Sequence, residues 1–187
     1  MILIALGYKR GVGKTTIARY ICARYGGKIF SISNEIENTV YSLFDKDIKQ
    51  HKHSEVALHD VGKSPRTLLQ ETGQAMVNIW NKVWMRKLEK RIDRYLVTKD
   101  LHSNSIVVID DIRRAYEINF LRSMRPDSTI VKVERNTGIQ DNHTTEHELD
   151  SFNNWDILIK NNGDIDSLHK VVHDKLIWRS NKEENQG

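Results

Sequence analysis

Two kinds of apolar pattern alternate along the chain: short continuous apolar runs, and longer stretches with an apolar position every three or four residues. The short runs predict buried strands and the periodic stretches predict helices. The run at 106–109, Ile-Val-Val-Ile, is typical of a central strand in a parallel sheet that is covered on both faces. The predicted strands are 2–6, 28–32, 105–111, 129–133 and 155–159, and the predicted helices are 14–25, 33 or 34 to 44, 65–79, 80–97, 114–124 and 164–178.

Strands that alternate with helices predict an α/β fold of three layers, a five-stranded parallel sheet flanked by helices. Ligands in such folds bind at the carboxyl ends of the strands. Polar stretches at 45–63 and 136–150 are expected to be loops. We expect one domain over residues 1–180, followed by a polar tail at 181–187.

Composition narrows the class of protein. The chain has 187 residues, 39% of them apolar, which is enough for one sizeable core. No apolar run approaches the length of a membrane span, so no membrane partner is expected. A single cysteine, Cys22, cannot form an intramolecular disulfide, which suits the cytoplasm.

The net charge of +4 fits either nucleic acid or a site for polyanionic small molecules. Basic residues gather near the predicted strand ends, and no basic repeat interleaved with aromatic residues is present. Phosphate-binding clefts are therefore the preferred interpretation, and a nucleic-acid partner is not expected.

A glycine-rich segment lies between the first predicted strand and the first predicted helix. It reads Gly-Tyr-Lys-Arg-Gly-Val-Gly-Lys-Thr-Thr over residues 7–16, one residue longer between Gly7 and Gly13 than the usual P-loop pattern. Glycines let the backbone N–H groups curl around an anion, and the helix that follows adds its positive end. The residues predicted to bind the phosphates of ATP are Lys9, Arg10, Gly11, Val12, Gly13, Lys14, Thr15 and Thr16.

Two acids follow the apolar run at 106–109, in the manner of the acidic strand end that accompanies a P-loop. Asp110 and Asp111, with the Thr15 hydroxyl, are the predicted Mg²⁺ ligands. Successive strand residues point to opposite faces, so only one acid is expected to face the site, and the pattern does not say which. Arg113 is suited either to a phosphate or to an ion pair with Glu117, one helical turn later.

Two other motifs are rejected. Residues 143–147 match His-x-x-Glu-His, but this zinc-protease signature needs a helix and a third ligand that the polar context does not offer. Residues 161–164 do not match the Asn-Lys-x-Asp motif with which GTPases read guanine.

Six motifs follow one another along the chain: Gly7-Tyr8-Lys9-Arg10…Gly13-Lys14, Ser64-Pro65-Arg66-x-x-Leu69-Gln70-x-x-Gly73, Asp111-x-Arg113-x-x-x-Glu117, Val133-x-Arg135, His143-x-Thr145-Glu146 and Asp156-x-x-Ile159-x-Asn161-x-Gly163. Their order and spacing resemble the bacteriophage deoxynucleoside monophosphate kinase family, within the P-loop nucleoside monophosphate kinase superfamily. In many members of that family an aspartate follows the P-loop lysine, where this chain has Thr15.

This resemblance implies ATP- and Mg²⁺-dependent phosphorylation of deoxynucleoside monophosphates to diphosphates, in the host cytoplasm if the chain is phage-encoded. It implies an acceptor-binding insert at about 34–97 and a lid at about 136–150. The residues implied as catalytic are Lys14, Asp111, Arg113 and Arg135; those implied at the acceptor are Ser33, Arg66, Gln70, Gln74, Arg113 and Glu146; those implied near the donor base are Asn161 and Asn162.

Two alternatives stay open at this point. One is a P-loop kinase that acts on another small-molecule acceptor, and the other is a nucleotide-dependent regulatory protein or DNA-associated ATPase. Arginines at several strand ends favour an acceptor kinase. A homodimer through apolar positions of the predicted helix at 80–97 also stays open, as does the choice of base and sugar.

Overall fold

A computed structural model describes residues 1–44, 52, 54–98, 105–136 and 147–177. Strands and helices alternate as predicted, and a π-helical turn at His173–Ile177 follows the last helix. The elements are β1 Ile2–Gly7, α1 Lys14–Tyr25, β2 Lys28–Phe30, α2 Ile32–Leu43, α3 Pro65–Ile79, α4 Val83–Thr98, β3 Ile106–Ile112, α5 Ala115–Met124, β4 Thr129–Glu134, β5 Ile157–Lys160 and α6 Ile165–Val172.

The sheet confirms the predicted fold class. Its five strands are all parallel and lie in the order β2-β3-β1-β4-β5. β1 is central, and its Ala5 and Leu6 side chains are fully buried. The carboxyl ends of β1, β3, β4 and β5 therefore meet along one edge, where the glycine-rich segment and both acids lie.

A β-bulge interrupts β3 at the two acids. Ala5 of β1 pairs with Ile109, but Gly7 pairs with Ile112, so β3 carries one residue more than β1 over this step. A bulge of this kind re-aims the side chains beside it. The simple alternation that predicted only one acid on the site face therefore does not hold at Asp110 and Asp111.

The described residues cluster into two compact units. The first comprises Met1–Phe30 with Arg94–Gly187 and contains the sheet. Its core is built where α1 and α6 cover one face of the sheet, with Ile17, Ile21 and Val172 fully buried. Burying such aliphatic side chains stabilises the fold by about 1.5–3 kcal/mol each.

The second unit, Ser31–Asp93, is helical and has a small apolar cluster of its own around Val40 and Leu68. Ser64 begins α3 as predicted, because its side chain accepts a hydrogen bond from the Thr67 N–H and a proline follows it. Arg91 donates to the buried carboxylate of Glu35 at 2.6 Å.

Several boundaries differ from the sequence-based prediction; α4 begins at Val83 instead of residue 80, and α6 ends at Val172 instead of residue 178. β2 is shorter, and α2 begins at Ile32 with Ser31 as its N-cap instead of Ser33 or Asn34. β5 begins at Ile157 instead of residue 155, because the Asp156 carboxylate accepts a hydrogen bond from the Ile130 N–H at 2.7 Å. Among the residues that the structure describes, no helix has the length and apolar character needed to cross a lipid bilayer.

Candidate active site at the glycine-rich loop

The loop between β1 and α1 is shaped by three residues with positive φ: Tyr8 at 95°, Gly11 at 76° and Gly13 at 101°. Glycine adopts this conformation freely, whereas tyrosine does so at a cost. The Tyr8 ring is held by Lys132 of β4, whose Nζ lies 4.3 Å from the ring centroid. Tyr8 thus adopts a positive φ at the position where the usual P-loop pattern has its first glycine.

Lys14, the first residue of α1, is buried beneath this loop with only 7% of its surface exposed. Its Nζ donates to the carbonyl oxygen of Tyr8 at 2.9 Å and also to that of Lys9. Burial lowers the pKa of Lys14 to about 7, and the nearby charge of Arg113 acts in the same direction, whereas Asp111 and Asp110 oppose it. A buried cation under a loop of backbone amides is suited to a polyanion.

The Thr15 hydroxyl donates to Asp110 Oδ2 at 2.9 Å, which joins the start of α1 to the end of β3. Asp110 is 8% exposed, whereas Asp111 is half-buried. The structure thus pairs Asp110 with the predicted threonine, and Asp111 remains within electrostatic reach of Lys14.

The chemistry of this pair fits Mg²⁺. Mg²⁺ keeps several waters and takes one or two protein oxygens together with substrate phosphates. Thr15 Oγ1 and Asp110 Oδ2 supply such oxygens next to the loop. Within the described ranges, no three His, Cys, Asp or Glu side chains come together as a dedicated metal cage would require.

Asn161, at the end of β5, contacts the loop. Its side-chain Nδ2 donates to the Val12 carbonyl oxygen at 2.9 Å, and the residue is 5% exposed. Asn162 beside it is exposed. The structure gives Asn161 a partner in the loop that the sequence did not indicate, and the contact of either residue with a donor base stays a prediction.

Replacing Gly13 with alanine is expected to weaken ATP binding about tenfold or more, because an alanine is strained at a positive φ. The φ of Gly13 is 101°, and an added Cβ would lie 2.4 Å from Asn161 Nδ2, so either the loop or the Asn161 side chain that contacts it must shift. Isothermal titration calorimetry with ATP checks this. Gly62→Ala is the control, since Gly62 also has a positive φ but an added Cβ there meets nothing within 4 Å; unchanged ATP affinity in Gly13→Ala would contradict it.

Arg113 and Arg114 follow β3, and a buried carboxylate fixes their backbone. Oε2 of Glu117 accepts hydrogen bonds from two backbone N–H groups, that of Arg113 at 2.9 Å and that of Arg114 at 3.1 Å. Glu117 is the third residue of α5, where a carboxylate commonly caps a helix. The sequence suggested an ion pair with the Arg113 side chain, whereas these bonds run to main-chain N–H groups.

Glu117 gives a testable pH dependence. Burial raises its pKa to about 7, against bonds from Arg113 and Arg114 that lower it. Because the folded pKa exceeds the unfolded value, the contribution of Glu117 to stability is greatest at low pH and falls as pH rises towards 7.

Wild-type protein is therefore expected to lose about 3 kcal/mol relative to Glu117→Gln between pH 4.5 and 7, the energy that corresponds to this pKa difference. Gln keeps an oxygen acceptor but does not ionise. Urea unfolding of both proteins across this range measures the difference, and parallel stability curves would show that Glu117 does not titrate there.

Lys9 joins the loop to the end of the 136–150 segment. Its Nζ lies 3.0 Å from Asp150 Oδ1, and His147 Nδ1 lies 3.0 Å from Oδ2 of the same carboxylate. Partial burial raises the pKa of Asp150, but hydrogen bonds with His147 and Lys9 outweigh this effect and lower that pKa to about 2. The hydrogen bond with Asp150 in turn raises the pKa of Lys9.

The predicted acceptor residues belong to several places. Arg66 pairs with Glu55 at 3.1 Å, and Gln74 donates to Asn78 at 2.8 Å, both within the helical unit. The Ser33 hydroxyl lies 3.2 Å from that of Ser31. Gln70 is exposed, and Glu146 lies outside the described residues. Arg135, predicted as catalytic, is exposed as well.

Two of the contacts above had weak sequence signals. Glu117 stands three residues after Arg114, but an N-cap arginine hides the usual Ser/Thr-x-x-Glu capping pattern. Lys9 and Asp150 are 141 positions apart, so no local pattern connects them. A contact as distant in sequence as that of Lys9 with Asp150 can be inferred only once the order of the strands is known.

Comparison with known proteins agrees with this geometry. A family model described as deoxynucleotide monophosphate kinase matches residues 59–172, more than half of the chain. A protein of Acanthamoeba polyphaga mimivirus, which carries the provisional name deoxynucleotide monophosphate kinase, is 29% identical over 187 residues. That match covers 92% of this chain and 94% of the viral protein.

Solved structures show the same fold at low identity. A dephospho-CoA kinase from Campylobacter jejuni is 14% identical with a TM-score of 0.54, over 97% of this chain and 98% of that one. A sugar kinase from Janibacter sp. is 12% identical with a TM-score of 0.52, over 95% of each chain. These likenesses show that this chain shares its fold with the two kinases.

Proposed function

This chain belongs to the deoxynucleotide monophosphate kinase family, and from that membership we propose that it transfers the γ-phosphoryl group of ATP to a deoxynucleoside monophosphate. The class of the enzyme, a phosphotransferase that binds nucleotides, follows from the family. The identity of the donor as ATP, the Mg²⁺ requirement and the residue roles below are the proposal.

The arrangement around Lys14 carries the proposal. The lysine is buried under a loop whose two glycines have positive φ, and its amine is directed at that loop. Phosphoryl transfer needs positioning and neutralisation of charge more than covalent chemistry. Lys14 and the loop amides of residues 9–16 would bind the donor phosphates and neutralise the charge that develops on the transferred group.

Thr15 and Asp110 would hold Mg²⁺, which supplies charge neutralisation at the donor phosphates when it is bound. Asp111, near enough to raise the pKa of Lys14, would partly offset the effect of burial and of Arg113, which lower that pKa. In this proposal Asp110 would take the metal role that the sequence left open between two neighbouring acids, because its carboxylate accepts a hydrogen bond from the Thr15 hydroxyl.

The acceptor would be held by charged and amide side chains. Arg113, fixed at its backbone by Glu117, would form two parallel hydrogen bonds with the phosphate of the monophosphate. Arg66, Gln70 and Gln74 would contribute from the 34–97 insert, and Ser33 from the position just before it. Arg135 would lie near the transferring phosphate. Glu146 belongs to the proposed lid at 136–150, which would exclude water during transfer.

The proposal is tested by incubating the purified protein with ATP, Mg²⁺ and each deoxynucleoside monophosphate in turn. Formation of ADP that depends on one or more of these acceptors is expected. The matching ribonucleoside monophosphates form the control series, since they differ only at the 2′-hydroxyl and report the preference for deoxyribose.

Two results would redirect the assignment. Formation of ADP without any acceptor would indicate an ATPase. Absence of ADP from a folded protein that binds ATP would indicate an acceptor other than a nucleotide.

A further inference from the structure

Asn161 is anchored to the sheet at one end and to the glycine-rich loop at the other. Its backbone N–H donates to the Glu134 carbonyl oxygen at 2.7 Å, which ties it to the end of β4. Its side-chain Nδ2 donates to the Val12 carbonyl oxygen at 2.9 Å. The sheet therefore fixes the position of the Asn161 side-chain amide, and this amide in turn holds the Val12 carbonyl of the loop.

Peptide geometry converts this contact into an orientation. The Val12 C=O and the Gly13 N–H belong to one trans peptide plane, and they point in opposite directions across it. A carbonyl held on the Asn161 side directs the Gly13 N–H towards the other side. In a phosphate-binding loop, the N–H groups must face the anion.

The loop needs such a contact because glycine allows its neighbouring peptides to rotate at little cost. Gly11 and Gly13 flank Val12, and both have positive φ. Lys14 holds the carbonyls of Tyr8 and Lys9, and Asn161 holds that of Val12. The Asn161 amide also fills the space beside Gly13, where an added Cβ would lie only 2.4 Å from Nδ2.

We propose that Asn161 is a positioning residue, which holds the Val12–Gly13 peptide so that the Gly13 N–H donates to a phosphate of the bound nucleotide. This role differs from the contact with the donor base that the family resemblance implies. This positioning role rests on the proposed function only in that the loop binds a nucleoside triphosphate. Asn161 itself touches neither the phosphate nor the acceptor.

Asn161→Asp is the sharpest variant, because a carboxylate of nearly the same shape has no proton to donate to the Val12 oxygen. Asn161→Ala removes the donor without adding charge. Asn119→Asp on α5 is the control, since it makes the same charge change at an exposed asparagine. Affinities for ATP and for inorganic pyrophosphate are measured by calorimetry, with the KM of each substrate and the melting temperature.

Both Asn161 variants are expected to bind ATP and pyrophosphate more weakly, about tenfold for Asn161→Asp, because a buried carbonyl loses its donor. KM for ATP should rise while KM for the monophosphate stays unchanged, a split that general loss of structure would not produce. Weaker ATP binding with unchanged pyrophosphate binding would overturn the proposal, because pyrophosphate has no base. Unchanged affinity for both ligands would overturn it too.

A second measurement needs no variant and covers the case in which the variants fail to fold. The amide resonance of Gly13 in wild-type protein should move downfield as pyrophosphate is added, and an unmoved resonance at saturation would overturn the proposal. Neither binding measurement requires turnover. A protein that binds ATP but transfers nothing would thus contradict the proposed function while this test still gives its answer.

Discussion

Replacing Lys14 with methionine is expected to lower kcat about 100- to 1000-fold, the cost of removing one preorganised charge from a site of developing charge. Methionine fills the space of the lysine stem but carries no charge. The fold should persist, since burial already disfavours the charged amine and lowers its pKa to about 7. Steady-state rates with saturating ATP and monophosphate measure the effect.

Lys170→Met provides the matched control, because Lys170 is exposed on α6 and loses the same charge. Its rate should equal that of the wild type, and the melting temperatures of both variants should stay close to the wild-type value. Wild-type turnover in Lys14→Met would contradict the assignment of Lys14 and its loop to the site of phosphoryl transfer.

Replacing Arg113 with alanine is expected to reduce kcat/KM for the monophosphate about 100-fold, the loss of two charge-assisted hydrogen bonds. The affinity for ATP should change far less. The backbone of residue 113 should keep its place, because its N–H remains bonded to Glu117. Kinetics with each substrate varied in turn measure the two effects separately.

Arg125→Ala is the control, since this half-buried arginine follows α5 and is assigned no part in the site. A fall in ATP affinity alone in Arg113→Ala would move Arg113 to the donor side of the reaction. A fall for both substrates would indicate a general effect on the site.

Local patterns predicted most of the fold. The apolar run at 106–109 and the helical periodicity of 14–25 depend on burial alone, and the structure contains both β3 and α1 as expected. The Ser64-Pro65 helix start was confirmed because capping is a local interaction. Element boundaries were less predictable where a side chain takes the place of a backbone partner in the sheet. Asp156 is an example, because its carboxylate accepts the hydrogen bond of the Ile130 N–H.

The site was predictable at the loop itself, and less so where long-range contacts decide. Lys14 and Thr15 are recognised from a motif of consecutive residues, whereas the choice of Asp110 depends on a bulge that strand alternation does not reveal. Asn161 reaches Val12 across 149 positions, which requires the strand order before it can be inferred. The roles of the acceptor residues rest on the family alone.

The central claim is that the γ-phosphoryl group passes from ATP to a nucleoside monophosphate. The most direct test supplies ATP labelled at the γ-phosphate together with a deoxynucleoside monophosphate and follows the label by chromatography. The account predicts that the label appears in the β-phosphate of the deoxynucleoside diphosphate, and that Lys14→Met forms this product about 100- to 1000-fold more slowly. Label released only as inorganic phosphate would contradict it, because water would then be the acceptor.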